Sequence, residues 1–171
     1  MFVQDYGTRG AYDIRQEPIL MPIRILHVDD EPAHLEITRI YLKKEAKDDF
    51  VIVSVLSAKK ALKELENDDF DVIVSNYKMP ARNEIEFLDV VKRNGKSANI
   101  PFILFTGIGG PEVAEKALNV GAEGYVTKRG CPATQCSRLA HVIREQAQRD
   151  EDDGFERTKV VRYSPDTLSL A

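Results

Sequence analysis

Asp71-Val-Ile-Val-Ser-Asn-Tyr-Lys-Met-Pro80 is the stretch on which the reading of this chain turns. Val72, Ile73 and Val74 form an unbroken apolar, β-branched run, the pattern of a strand buried on both faces. The run then opens into a polar loop closed by Pro80. In α/β proteins the reactive groups sit at such carboxyl ends. Three other strand ends in the chain are built alike. Ile23-Arg-Ile-Leu-His-Val28 runs into Asp29-Asp30-Glu31, Pro101-Phe-Ile-Leu-Phe105 into Thr106-Gly107, and Gly124-Tyr-Val-Thr127 into Lys128. An acidic pair, a hydroxyl and a lysine are thus placed at strand ends, and Asn76 puts an amide where a nucleophilic carboxylate would complete the set.

Working outward, short apolar runs at 23–28, 51–56, 71–75, 101–105 and 123–127 alternate with amphipathic stretches at 32–46, 57–67, 84–94, 111–119 and 133–149. Within the last of these, Cys136, Leu139, Ala140, Ile143 and Ala147 recur at helical spacing and make one apolar stripe. Pro32 suits the first turn of a helix, where its missing N–H costs nothing. Strand–helix alternation over this length predicts a parallel sheet covered by helices on both faces. Residues 1–22, with Gly7, Gly10, Pro18 and Pro22, are read as an N-terminal extension, 23–149 as the domain, and 150–171 as a C-terminal tail. The tail opens on the acidic break Asp150-Glu-Asp-Asp-Gly154 and holds Thr158-Lys-Val-Val-Arg-Tyr163, which fits one short strand or docking segment. It is too short for an output domain of its own.

Composition narrows the classes. Of 171 residues 43% are hydrophobic, enough for a core, and 30% are charged. The net charge of −4 argues against bulk attraction to nucleic acid or to an anionic membrane. No apolar run reaches a membrane span and no secretion signal opens the chain, so a cytoplasmic location is expected. The two cysteines, Cys131 and Cys136, lack the further ligands a zinc site needs and are read as reduced thiols. His27 and His34 are poorly placed to act together as ligands, and His141 reads as structural or solvated.

In order and spacing, the acidic pair Asp29-Asp30, the segment closing in Lys-Met-Pro, Thr106-Gly107, Gly121-Ala122 and Lys128 resemble the receiver domain of two-component response regulators, over roughly residues 23–149. The resemblance implies a three-layer, flavodoxin-like (βα)5 fold with parallel strand order 2-1-3-4-5. It also implies a phosphoacceptor signalling protein rather than an enzyme acting on other substrates. The parent form would take a phosphoryl group from a sensor histidine kinase at position 76. Such transfer is mostly positioning and charge neutralisation. The implied roles are Mg²⁺ ligation by Asp29, Asp30, residue 76 and the backbone carbonyl of Lys78, charge neutralisation by Lys128, and a hydrogen bond from Thr106. Tyr125 matches the aromatic switch partner of Thr106, expected outward in a chain without phosphate. Output is expected through a protein contact at residues 111–149, with a downstream target or a second receiver, and without direct nucleic-acid or membrane binding.

Two positions depart from the family pattern. Asn76 cannot form an acyl phosphate, and the lost charge should weaken Mg²⁺ by a few kcal/mol at an effective dielectric of about 20. Arg129 follows Lys128 where many receivers have proline, so a cis peptide there is not assumed, since it would cost about 2.5–4 kcal/mol. Two readings of Asn76 stand: an engineered Asp-to-Asn change that locks a regulator unphosphorylated, and a natural pseudo-receiver that works as a phosphate-independent interaction module. The intact remainder of the site favours the first. A flavodoxin-like nucleotide binder is the weakest reading, because Asp29-Asp30-Glu31 replaces a Gly-rich phosphate loop. Each residue also has an ordinary explanation: helix capping for the acidic run, a turn for Asn76 and Thr106, a solvated lysine at 128, a core aromatic at 125.

Overall fold

The apolar runs become strands and the amphipathic stretches helices in a computed structural model that describes residues 21–76, 84–107, 110–148, 161–164 and 167–170. For 84–85 and the last two stretches only the backbone course is described. In chain order the elements are β1 (Ile23–Val28), α1 (Pro32–Ala46), β2 (Phe50–Val55), α2 (Ala58–Asn67), β3 (Val72–Ser75), α3 (Glu84–Arg93), β4 (Phe102–Thr106), α4 (Pro111–Val120), β5 (Gly124–Thr127) and α5 (Pro132–Ala147). The helix starts follow from local chemistry. Pro32, Pro111 and Pro132 open α1, α4 and α5, where a proline forfeits no hydrogen bond. The Ser57 side chain accepts from the Lys60 N–H to cap α2. Gly121 closes α4 at φ 118°, a left-handed conformation that a β-carbon would strain.

The first five strands are parallel in order β2-β1-β3-β4-β5, the order of the flavodoxin-like (βα)5 fold. Side chains alternate across the sheet and make two apolar layers. Leu26, Val28, Ile73, Phe102, Leu104 and Tyr125 pack with α2, α3 and α4 on one face. Ile25, Val72, Val74, Ile103, Phe105 and Val126 pack with α1 and α5 on the other. Phe87 of α3 meets Phe102 edge-on with centroids 5.6 Å apart. Completely burying each such side chain stabilises the fold by about 1.5–3 kcal/mol, so the central strands are the most rigid platform in the molecule.

The tail differs from expectation. Instead of one short strand there are two, β6 (Val161–Ser164) and β7 (Thr167–Leu170), paired antiparallel. β7 also pairs antiparallel with β5, placing Gly124 opposite Ser169, Tyr125 opposite Leu168 and Val126 opposite Thr167. Among the described residues the sheet thus has seven strands, with β6 outermost. The physical reason lies in β5, which would otherwise present an open row of N–H and C=O groups. Residues 167–170 are too few and too polar to announce a strand by pattern alone.

Candidate functional site

Asp29, Asp30, Asn76 and Lys128 lie just beyond strands and Thr106 ends β4, and the backbone of three of these residues is fixed by the neighbouring strand. The Asp29 N–H donates to Val55 O at 3.2 Å, Asn76 N–H to Val28 O at 3.0 Å, and Lys128 N–H to Thr106 O at 2.8 Å. The ends of β1, β3, β4 and β5 are therefore brought to one edge of the sheet, and the side chains of Asp29, Asn76 and Lys128 meet there. Asp29 is completely buried. Its Oδ2 accepts from Lys128 Nζ at 2.8 Å, and its Oδ1 from the Glu31 N–H at 3.0 Å and from Asn76 Nδ2 at 3.4 Å. The three residues come from positions up to 99 apart in the chain. Thr106 is buried at the end of β4, and Asp30 is half-buried beside Asp29.

Electrostatically the site is closed on itself. A buried carboxylate is tolerable only when paired and hydrogen-bonded, and Lys128 with the two N–H donors supplies that. The Lys128 ammonium also lies 5.0 Å from the centroid of the Phe105 ring, a cation–π contact. His27, on β1 between the two neighbouring strands, is buried, and its Nδ1 has no hydrogen-bond partner among the described residues. Burial is the main cause that lowers its pKa to about 4; Asp29 opposes this, while Lys128 and His34 add to it. His27 is therefore neutral near pH 7 and does not compete with Lys128 for Asp29.

Sequence reasoning missed several neighbours. His34 Nδ1, on the first turns of α1, lies 3.6 Å from Asp29 Oδ2. Phe105 was visible only as a strand residue, and Gln135 and Arg138 of α5, which reach the Lys128 loop, carried no signal at all. Tyr125 requires a correction. It was expected outward but is only 4% exposed, packed in the layer beneath α3 and α4 with Leu104, Ala114 and Ala117. An aromatic ring gains more from that apolar layer than from water. Lys78 lies outside the described residues. No peptide bond among the described residues is cis, so the step from Lys128 to Arg129 is trans.

For a divalent ion the donor chemistry is suitable. Asp29 and Asp30 are hard carboxylate ligands and Asn76 offers an amide oxygen, the donor type Mg²⁺ takes while keeping several waters. Among the described residues no three His, Cys, Asp or Glu side chains are grouped as a metal cluster.

Residues 25–140 match the family described as the response regulator receiver domain. Among sequence relatives, the chain is similar to the phosphate regulon transcriptional regulatory protein PhoB of Klebsiella pneumoniae, 27% identical over 124 residues, which cover 72% of this chain and 53% of PhoB. It is also similar to the two-component response regulator ORR1 of Oryza sativa subsp. japonica, 29% identical over 112 residues, covering 61% and 48%. The chain thus spans about half the length of these relatives. Among solved structures, a CheY-like receiver domain protein from Methanospirillum hungatei superimposes with TM-score 0.63 at 26% identity, covering 75% of this chain and 98% of that one. The chemotaxis response regulator CheY4 of Vibrio cholerae, at 24% identity and TM-score 0.62, covers 71% and 98% and shares the fold.

Proposed function

The chain belongs to the response regulator receiver domain family, and from that premise we propose that it is a phosphoacceptor receiver of two-component signalling held unphosphorylated by the amide at Asn76. Receiver domains interact with histidine kinases and downstream effectors and generally depend on Mg²⁺. The observation that carries the proposal is the convergence on one buried carboxylate: Lys128 Nζ at 2.8 Å and Asn76 Nδ2 at 3.4 Å from Asp29. It supports the reading because residue 76 and the lysine cation share one carboxylate.

The roles follow from that geometry. In the Asn76→Asp form, a carboxylate oxygen would attack phosphorus as the bond to the kinase histidine breaks. The Lys128 ammonium would shift from Asp29 to a phosphoryl oxygen, and the Thr106 hydroxyl would donate to another. Asp29, Asp30, residue 76 and the Lys78 carbonyl would hold Mg²⁺, which when bound neutralises charge on the phosphoryl oxygens. The same groups would later position water for hydrolysis. With Asn76 there is no carboxylate nucleophile, and the chain stays in one state. The protein contact that reads this state is placed at residues 111–149, toward a downstream target or another receiver.

A second reading has its own observation. The Asn76 amide donates to Asp29, and Lys128 neutralises the same carboxylate; this arrangement is satisfied without phosphate or metal, as a phosphate-independent interaction module would need. Incubating this chain and Asn76→Asp with acetyl phosphate and Mg²⁺ separates the two. The first reading expects base-labile, Mg²⁺-dependent labelling of Asn76→Asp alone. If Asn76→Asp stays unlabelled, the interaction-module reading takes its place.

A further inference from the structure

After Thr127 the chain must leave the sheet, turn, and start α5 at Pro132. The turn is made by Gly130 at φ 85°, where a β-carbon would be strained. Such a turn leaves successive carbonyls without strand partners, and a four-residue loop with open carbonyls is a poor platform for a side chain that must hold its place to within about half an ångström. Here all four carbonyls from Thr127 to Gly130 are taken up by two side chains on one face of α5, three residues apart. Arg138 Nη2 donates to Thr127 O at 3.2 Å and to Arg129 O at 2.6 Å. Gln135 Nε2 donates to Lys128 O at 3.3 Å and to Gly130 O at 2.5 Å. The two side chains alternate along the loop, and the Gln135 N–H adds a fifth bond, to Cys131 O at 3.0 Å.

Lys128 is therefore held from both sides. Its N–H is fixed on Thr106 O at the end of β4 at 2.8 Å, and its carbonyl on Gln135 of α5. Only its side chain is free to choose a partner, and that partner is Asp29. We propose that Gln135 and Arg138 are positioning residues for Lys128, a two-pronged clamp that fixes where the ammonium sits and ties it to the first turns of α5. Both act on the loop backbone and not on the side chains of Asp29, Asn76 or Lys128. The role assigned to Lys128 in phosphoryl neutralisation rests on the function proposed above; the clamp's hold on the loop does not. A shift of α5 would move Lys128 with it, which gives the helix a mechanical connection to the site.

Three substitutions test the clamp: Gln135→Glu, which keeps the shape but exchanges the donor for an acceptor; Arg138→Met, which keeps the stem; and Arg138→Lys, which keeps one cationic donor. In the present chain, trace acetylation by acetic anhydride is read by mass spectrometry at Lys128 against exposed Lys59. Acetylation of Lys128 should rise on the order of fivefold or more in Gln135→Glu and Arg138→Met, since each loses two loop hydrogen bonds and one is worth roughly fivefold, and Arg138→Lys should recover part of the protection. In the Asn76→Asp background, the same two substitutions should slow acetyl-phosphate labelling on the order of tenfold or more with little change in melting temperature. Unchanged Lys128 acetylation in Gln135→Glu and Arg138→Met overturns the clamp, and if Arg138→Met does not fold, Gln135→Glu decides. Faster acetylation with undiminished labelling overturns the positioning role. If Asn76→Asp is itself unlabelled, the phosphoacceptor reading fails, while the acetylation result still judges the clamp.

Discussion

At the scale of single residues, the proposed state of the site turns on one amide. Asn76 presents an N–H to Asp29 Oδ1 at 3.4 Å. Replacing it with aspartate sets an oxygen against an oxygen beside a carboxylate that is already buried, and Lys128 can neutralise only one of them. Asn76→Asp should therefore lose roughly 1–2 kcal/mol of stability in EDTA, a few kcal/mol of repulsion discounted for screening and for Lys128. That corresponds to roughly 2–8 °C in Tm for a chain of this size. Mg²⁺ should restore it and should bind Asn76→Asp more tightly than the present chain. Calorimetric melts with EDTA and with Mg²⁺ check both; a Tm in EDTA equal to that of the present chain would mean that residue 76 does not face Asp29. The two thiols make a second contrast. Cys131 is exposed, and the Thr134 hydroxyl at 3.2 Å lowers its pKa. Cys136 is buried, which raises its pKa to about 11. A disulfide reagent should titrate one thiol quickly and the second only on unfolding. Because the folded pKa of Cys136 lies above its ordinary value of 9.0, its contribution to stability is full below pH 9 and fades as pH rises from 9 to 11. A Cys136→Ala variant should lack that alkaline slope.

At the scale of elements, much was legible because each signal is local. Valine and isoleucine runs mark buried strands, proline and glycine mark helix ends, and the apolar stripe from Cys136 to Ala147 marks the inward face of α5. The candidate site was proposed from residues at strand ends and from their resemblance to the receiver family. What could not be read were contacts that close only in three dimensions. Lys128 and Asp29 are 99 residues apart, and nothing in the pattern says that the lysine pairs with the first aspartate of the run rather than with water. Tyr125 was misjudged for the same reason, since a strand period places it on a face but does not say how deeply α4 covers that face. Gln135 and Arg138 lie among the polar residues of an amphipathic helix and were indistinguishable from a solvated surface. The fit between α5 and β5 is another such contact. A β-carbon on Gly124 would meet Val142 Cγ1 at 3.0 Å and Ile103 Cγ1 at 3.3 Å, so any side chain there would force the helix or Ile103 to give by a few tenths of an ångström. Gly124→Ala should cost about 1–3 kcal/mol through overpacking, measured by the urea midpoint. Pairing it with Val142→Ala should recover part of the loss. An unchanged midpoint in the single variant would mean that α5 can lift off β5 at no cost.

At the scale of the whole molecule, the feature that most changes the surface is the β6–β7 hairpin. Five parallel strands alone would leave β5 as an edge, beside the α4 and α5 surface where a protein contact is proposed. With β7 hydrogen-bonded along Gly124 to Val126, an extended partner segment cannot add to that edge without displacing β7. The arrangement is lopsided in stability. An isolated two-stranded hairpin is marginal in water, whereas the five-stranded core carries two full apolar layers, so the hairpin should open without unfolding the rest. β7 lies between β5 and β6, so each N–H inside it faces one neighbouring strand or the other, and a proline at any such position breaks the ladder. Leu168→Pro should therefore release the hairpin. Hydrogen exchange followed by mass spectrometry should then show faster exchange at residues 124–126 and in the hairpin, with β1 and β3 as slow as before. Sedimentation should show more self-association of Leu168→Pro than of the unsubstituted chain, because an exposed edge strand invites pairing. If residues 124–126 exchanged at the same rate in both proteins, β7 would not be what protects β5, and the edge would have to be closed by other means.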